Sequence, residues 1–361
     1  MRSRLGKLVV LLLLVGLTAS ACGSDKKNNA SKSTTPKQTT TTAEQITATL
    51  AGSGSTFQKS FDEAVIEAFK KQQANITISY GGGGSGKGKT DLAAGVDQWA
   101  GTDSLVKPED MPKYTKGLLY FPIVAAPITL SYNVSGVDKL VLDGPTVAKI
   151  FQEQIKTWND PAIKALNPNA NLPSTKIAPV HRSDASGTTS NFTKWLTAAA
   201  PGVFTLTAGD TSNWPADEVA GNGNTGVATA VKGTSGAIGY VDYSDAKASG
   251  LVFASIKNKA GKAIEPTLEG TLAALEKTSL NPDLTYNPLN ADGDTAYPIA
   301  TPTWIITQAK YSDVNVVKAL KALLTFIYAD GQALAKDVDF AKLPDSYLTQ
   351  ARAQIDKITQ G

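Results

Sequence analysis

Three stretches of this chain are composed of residues suited to holding an anion. GSGSTF (52–57), GGGGSGKG (81–88) and DASGTT (184–189) are built mostly of Gly, Ser and Thr. Such loops offer backbone N–H groups and hydroxyls, and at a helix N-terminus the helix dipole adds to their pull on negative charge. One such loop is ordinary N-capping chemistry. Three in one chain, with Arg182 just ahead of the third, point to a small oxyanion site made mainly of neutral dipoles. The middle stretch also reads GGSGKGKT (83–90), where Gly83, Gly88, Lys89 and Thr90 satisfy G-x-x-x-x-G-K-[ST], the nucleotide-binding P-loop. The chain therefore poses a choice between a nucleotide and a smaller anion.

The elements around these loops alternate strand and helix. ITATLAG (46–52) alternates as a strand, and Phe57, Phe61, Val65 and Phe69 follow at intervals of four, the stripe of an amphipathic helix. NITISY (75–80) is the next strand, a short helix is predicted near 88–95, and QWAGTD (98–103) ends another strand. DGPTVAKIFQEQ (143–154) and TTSNFTKWLTAAA (188–200) read as helices, with KIAPVHRSD (176–184) a strand running into a loop between them. GAIGYVDY (236–243) and YPIATPTWIIT (297–307) are strands, and 312–328 carries Val317, Leu320, Leu324 and Ile327 on one helical face. GLLYFPIVAAPITLSYN (117–133) is too long for an ordinary strand, and Pro122 and Pro127 interrupt it, which suits a segment crossing between lobes. The alternation predicts parallel α/β architecture. Residues 46–361 exceed what one core usually supports, so two lobes are expected. All three anion loops then lie at the carboxyl ends of strands, where open α/β sheets collect their ligands.

The N-terminus argues against a nucleotide. MRSRLGK is basic without an acid, LVVLLLLVGL is apolar but shorter than the roughly 20 residues of a bilayer span, and Ala19, Ser20 and Ala21 lead into Cys22. That order describes an export signal over 1–21. Cys22 is the only cysteine, so it has no disulfide partner and no thiolate set for a metal. A lone Cys directly after small residues resembles a bacterial lipobox, which implies that Cys22 carries a lipid anchor. Residues 22–45 are rich in Ser, Thr and Lys and read as a flexible tether. A protein anchored outside the cell has no ATP supply. Without Arg2, Arg4 and Lys7 of the leader, and without Lys26, Lys27, Lys32, Lys37 and Asp25 of the tether, the 35 basic and 32 acidic residues leave a slightly acidic remainder. That balance lacks the basic footprint of nucleic-acid binding. Any bound anion must be held by local geometry.

Longer stretches carry a resemblance. GSGSTF, YGGGGSG, AGTDSLV and HRSDASGTTSNF resemble the ligand loops of the periplasmic phosphate-binding proteins that feed the phosphate-specific ABC transporter. LDGPTVAKIFQEQIKTWNDPAIKALNP (142–168), GNTGVATAVKGTSGAIGYVDY and LPDS (343–346) resemble further landmarks of that family, in order, from about residue 46 to the C-terminus. The resemblance implies a type II two-lobe periplasmic-binding-protein fold with two crossings, near 125 and 298. Lobe 1 would comprise 46–125 and 299–361, and lobe 2 would comprise 126–298. It also implies a receptor for inorganic phosphate that serves the membrane subunits of an ABC importer, acts as a monomer, and needs no cofactor or metal.

Carried over residue by residue, the family's phosphate contacts fall on Thr56 and Phe57, Ser85, Asp103, Arg182, Ser186, Gly187 and Thr188, with Asp184 holding Arg182 through a salt bridge. An arginine fork grips two oxygens at once. Asp103 accepts a hydrogen bond from protonated phosphate but repels sulfate, which has no proton to give. The P-loop match then becomes a coincidence in which Ser85, not Lys89, is the ligand residue. Lys87 and Lys89 stand where the family usually has uncharged residues and are expected as solvated groups at the cleft rim; His181, the only histidine, is expected at the rim and not on the ligand. One His with no spare Cys makes no metal site. A hydrolase reading would use His181, Asp184 and Ser186, but the chain has no G-x-S-x-G elbow. A receptor for sulfate or molybdate is the nearer alternative, and Asp103 speaks against it.

Overall fold

A computed structural model describes residues 46–361. The expected signal peptide, Cys22 and the tether lie outside the described residues. Strand and helix alternate first as β1 (Ala48–Gly54), α1 (Lys59–Gln72), β2 (Ile76–Gly83), α2 (Ser85–Ala94), β3 (Trp99–Thr102) and β4 (Leu118–Tyr132). There follow α3 (Gly144–Phe151), β5 (Ala178–Arg182), α4 (Gly187–Ala199), β6 (Val219–Gly221), α5 (Gly223–Gly233) and β7 (Ala237–Asp242). The chain closes with β8 (Ala300–Gln308), α6 (Val314–Phe326) and α7 (Asp345–Gln354).

These strands form one continuous sheet in the order β2-β1-β3-β8-β4-β7-β5-β6. It has two halves joined through β4. Residues 118–127 of β4 pair antiparallel with β8, and residues 128–132 pair antiparallel with β7. Within each half the strands that lead into anion loops run parallel: β1 with β2 and β3, and β5 with β6 and β7. The halves are the cores of the two lobes.

The long segment departs from its sequence reading in one respect. Pro122 and Pro127 do not interrupt β4, which is a single strand. Each proline sits where a missing N–H is harmless. Pro122 lies at a bulge, where the register with β8 shifts between Thr303 and Trp304. Pro127 faces Ala300, the first residue of β8, just before β4 takes up its second partner. There the Ile128 N–H donates to Ile299 O (3.0 Å), so both crossings meet at one point.

Apolar periodicity explains the layers. Phe61, Val65 and Phe69 are buried on α1, and Phe69 meets Phe326 of α6 edge to face at 5.5 Å. Helix α6 covers β1, so the C-terminal segment returns to pack on the first strands of the sheet. Ala341 and Ala125 exchange backbone hydrogen bonds (2.8 and 3.1 Å), which ties that return to β4. In the second lobe Phe151, Phe192, Trp214 and Tyr240 pack ring against ring beneath the loop that follows β5. Among the described residues no helix is long and apolar enough to cross a membrane.

Candidate anion site

The three flagged loops converge where the lobes meet. Helix α2 begins at Ser85, three residues earlier than predicted, and that shift puts the Ser85 hydroxyl in the first turn instead of in a loop. Ser85 is buried, and its Oγ accepts from the backbone N–H of Asp103 (3.2 Å). From the other lobe, Gly187 opens α4 and closes on the same spot. A Cβ there would lie 2.5 Å from Ser85 Oγ and 2.7 Å from an Asp103 carboxylate oxygen. Only glycine permits that approach. The N-cap Ser186 accepts from the Thr189 N–H (3.2 Å), so its own hydroxyl proton remains free to be donated.

Asp103 is 2 % exposed and enclosed by hydroxyls. Ser55 Oγ lies 2.7 Å from both of its oxygens, and Thr303 Oγ1 lies 2.7 Å from Oδ1. Burial pushes its pKa up to about 6, although Ser55, Thr303 and the charge of Arg182 act in the opposite direction and Asp210 adds to the rise. Behind it, the Thr303 hydroxyl also bonds Gln58, whose Nε2 donates to the buried Asp62 (2.9 Å). Thus a second carboxyl, also pushed up by burial, lies one side chain further in.

Arg182 ends β5, and Asp184 holds it side-on. Nε donates to Asp184 Oδ1 (2.8 Å), Nη2 bonds Oδ2, and Nη1 donates to Thr188 Oγ1 (3.3 Å). Burial raises the Asp184 pKa, but Arg182 and the Gly223 amide outweigh it and hold the carboxyl below its ordinary value. Thr56 and Phe57 join from the loop after β1. Phe57 donates its amide to Ser55 Oγ (3.0 Å) and buries its ring against Phe340.

Sequence reasoning missed Asn224. Its backbone N–H and Nδ2 donate to Thr56 Oγ1 (3.2 and 3.1 Å), and Nδ2 also donates to Thr188 Oγ1 (3.2 Å). With their lone pairs occupied, both threonine hydroxyls are left to donate their protons inward. The signal was present: Gly223 and Asn224 form a fourth Gly/Asn/Thr stretch between a strand and a helix, the pattern that singled out the other three.

One rim expectation changes, that for Lys89. His181 is half-buried, stacked on Trp214 at 5.6 Å, with Nδ1 2.9 Å from Arg182 O. Lys87 is exposed and pairs with Asp91. Lys89 is not solvated: its side chain is 12 % exposed and its Nζ lies 2.5 Å from Asp210 of the other lobe. Nor does the stretch work as a P-loop. Gly88, Lys89 and Thr90 lie inside α2, where the Gly88 N–H donates to Gly84 O (3.3 Å) and Thr90 Oγ1 donates to Gly86 O (2.9 Å). Those groups are spent within the helix. Among the described residues no cluster of three or more His, Cys, Asp or Glu is placed to hold a metal.

Comparison with known proteins gives one consistent answer. Residues 35–331 match the model of the PBP superfamily domain. The chain is 34 % identical over 350 residues to the phosphate-binding protein PstS 3 of Mycobacterium leprae, which covers 93 % of this chain and 94 % of that protein. It is 36 % identical over 310 residues to the phosphate-binding protein PstS of Methanocaldococcus jannaschii, covering 79 % of this chain and 80 % of the relative. A high affinity periplasmic phosphate-binding protein solved with phosphate superposes with a TM-score of 0.71 at 23 % identity, covering 84 % of this chain and 93 % of that one, a likeness of fold.

Asp103 leaves a mark on stability that needs no ligand. Its folded pKa lies above the unfolded value of about 4, so folding favours the neutral carboxyl. That contribution is complete below about pH 4 and lost as pH rises through about 6, a change on the order of 3 kcal/mol. Ligand-free Asp103→Asn should therefore lose less stability than the parent between pH 4 and pH 7 in urea unfolding. Equal losses would mean that the folded state leaves Asp103 unperturbed.

Proposed function

The chain belongs to the PBP superfamily and, within it, to the PstS family of phosphate-binding proteins, and on that premise we propose that it is an extracytoplasmic receptor for inorganic phosphate that delivers its ligand to an ABC importer. The observation that carries this reading is the pairing of a buried acid with hydrogen-bond donors. Asp103, enclosed by hydroxyls, shares one closed spot with the Gly187 end of α4 and the Ser85 turn of α2. A carboxylate in an anion site is repulsive unless the anion brings a proton, and near neutral pH phosphate does so while sulfate does not.

In this reading the ligand shell is Thr56, Phe57, Ser85, Asp103, Arg182, Ser186, Gly187 and Thr188, with Asp184 and Asn224 acting behind it. Arg182 supplies the one cationic contact. The threonine and serine hydroxyls and the helix N-termini supply neutral donors. The lobes are 46–125 with 299–361, and 126–298. What supports that division is the change of partner along β4 at Ile128, next to Ile299. Closure between them is a hinge motion that dries the site and strengthens its hydrogen bonds. Cys22 anchors the chain by a lipid on the outer face of the membrane, and the receptor acts as a monomer on the transmembrane subunits of the importer. It performs no reaction on its ligand.

Calorimetric titration of phosphate-stripped protein should show binding of phosphate and neither sulfate nor ATP at comparable concentrations. Magnesium-dependent ATP binding, or sulfate binding as tight as phosphate, would overturn the reading. Arg182→Ala should weaken phosphate by roughly tenfold to a hundredfold, since a hydrogen bond to a charged group contributes about 1.5–3 kcal/mol. The loss should exceed that in Ser186→Ala or Thr188→Ala, and an unweakened Arg182→Ala would show the site to be elsewhere.

Selectivity has its own test. Asn is nearly isosteric with Asp and turns an N–H toward the anion, so Asp103→Asn should narrow the ratio of phosphate to sulfate affinity. Lowering pH through about 6 should narrow it in the parent as Asp103 gains its proton. An unchanged ratio in both would place discrimination in other residues. Replacing Cys22 with Ala should release the protein from the membrane fraction while its soluble domain titrates phosphate normally; retention in membranes would exclude the lipid anchor.

A further inference from the structure

The lysine that completes the P-loop pattern makes an interlobe contact that the phosphate shell does not use. Lys89 Nζ is held in the first lobe by Ser104 Oγ (2.9 Å) and Leu105 O (3.3 Å), and reaches Asp210 Oδ2 of the second lobe at 2.5 Å. Both side chains are largely shielded from water, 12 % exposed for Lys89 and 15 % for Asp210. They line the inner wall of a 690 Å³ crevice between α2, residues 106–114 and residues 210–211. Arg182, Asp103 and Thr188 do not border that crevice.

Asp210 is also joined to the anion loop through its backbone. Its carbonyl accepts from the Ser186 N–H (2.8 Å), at the N-cap of α4. Nearby, Gly86 donates its N–H to Ala185 O (3.0 Å) and Asn191 Nδ2 donates to Asp103 O (2.6 Å), so with the ion pair three contacts cross the cleft on this side. The charge of Asp210 is felt at Asp103, so an unneutralised Asp210 carboxylate would add negative potential where the anion sits.

We propose that Lys89 and Asp210 form an ion-pair latch between the lobes, which slows opening of the closed cleft and cancels the charge of Asp210 beside the bound anion. The latch rests on the phosphate-receptor reading. It acts on the ligand only through the lobes and through Ser186, so both are positioning residues. The two roles of Lys89 make the pair asymmetric. Removing Lys89 breaks the latch and leaves a shielded carboxylate whose charge reaches Asp103. Removing the Asp210 carboxylate breaks the latch but leaves a cation, which partly offsets the loss. Opening separates the two charges into water, so the contribution is to the rate of release more than to the rate of capture.

The test is release of phosphate from loaded protein, followed by stopped flow, in Lys89→Met, Asp210→Asn, the double variant and the exposed rim control Lys107→Met. Asp210→Asn keeps the backbone carbonyl on Ser186. Lys89→Met should release phosphate about tenfold faster, within the range for coupled residues in contact, and Asp210→Asn by a smaller factor. The double variant should be no faster than Lys89→Met, the signature of one shared interaction, and Lys107→Met should match the parent. Parental release from both single variants, or effects that multiply in the double variant, would overturn the latch alone. A parent that bound no phosphate would overturn the receptor reading and the latch with it.

Discussion

A carboxyl group kept out of water at the meeting of two lobes is the constraint around which this structure is arranged. Asp103 is surrounded by Ser55, Ser85 and Thr303, which supply hydroxyls to its oxygens or its amide but no positive charge at contact distance. Paired directly with an arginine it would be fully ionised. Left without partners it would stay neutral and cease to repel. Burial pushes its pKa up to about 6 while the hydroxyls hold it from rising further, which leaves the group responsive to what lies beside it.

The same economy governs the rest of the site. Arg182 is cancelled by Asp184 and Lys89 by Asp210, so the neighbourhood carries no surplus of positive charge. On the receptor reading proposed above, much of the pull on an anion would come from dipoles fixed by the fold: the first turns of α2 and α4, and threonine hydroxyls oriented by Asn224. Dipoles act at short range, so they reward an anion of the right shape in a closed cleft and draw little from solution at large. A cluster of lysines would bind more kinds of anion and depend more on salt.

What was legible in the sequence was local. The strand–loop–helix rhythm, the Gly/Ser/Thr loops and the stripe of Phe61, Val65 and Phe69 are each set by residues a few positions apart, and the structure places them together. The partners that finish the site are remote in sequence. Thr303 meets Asp103 across 200 positions, Asn224 meets Thr56 across 168, and Lys89 meets Asp210 across 121. No periodicity records such pairings. Yet each left a trace as a polar residue where the local pattern had no use for one, such as Thr303 in a strand buried along its whole length. The reading of Pro122 and Pro127 as interruptions failed for the converse reason. Proline removes a donor, but a bulge and a change of partner had already removed the need for it.

The P-loop coincidence follows from the same physics. Both kinds of site want backbone N–H groups converging on an anion, and glycine is what lets a chain turn tightly enough to present them. Composition therefore cannot separate the two; the start of the helix does. In a P-loop the lysine and the hydroxyl that follows it serve the phosphates directly. Here α2 starts at Ser85, so Lys89 stands a full turn along the helix, and its side chain runs across to Ser104 and Asp210 instead of back over the loop. Starting the helix at Ser85 takes Gly88, Lys89 and Thr90 out of the loop, and it leaves Lys89 free to bridge the lobes.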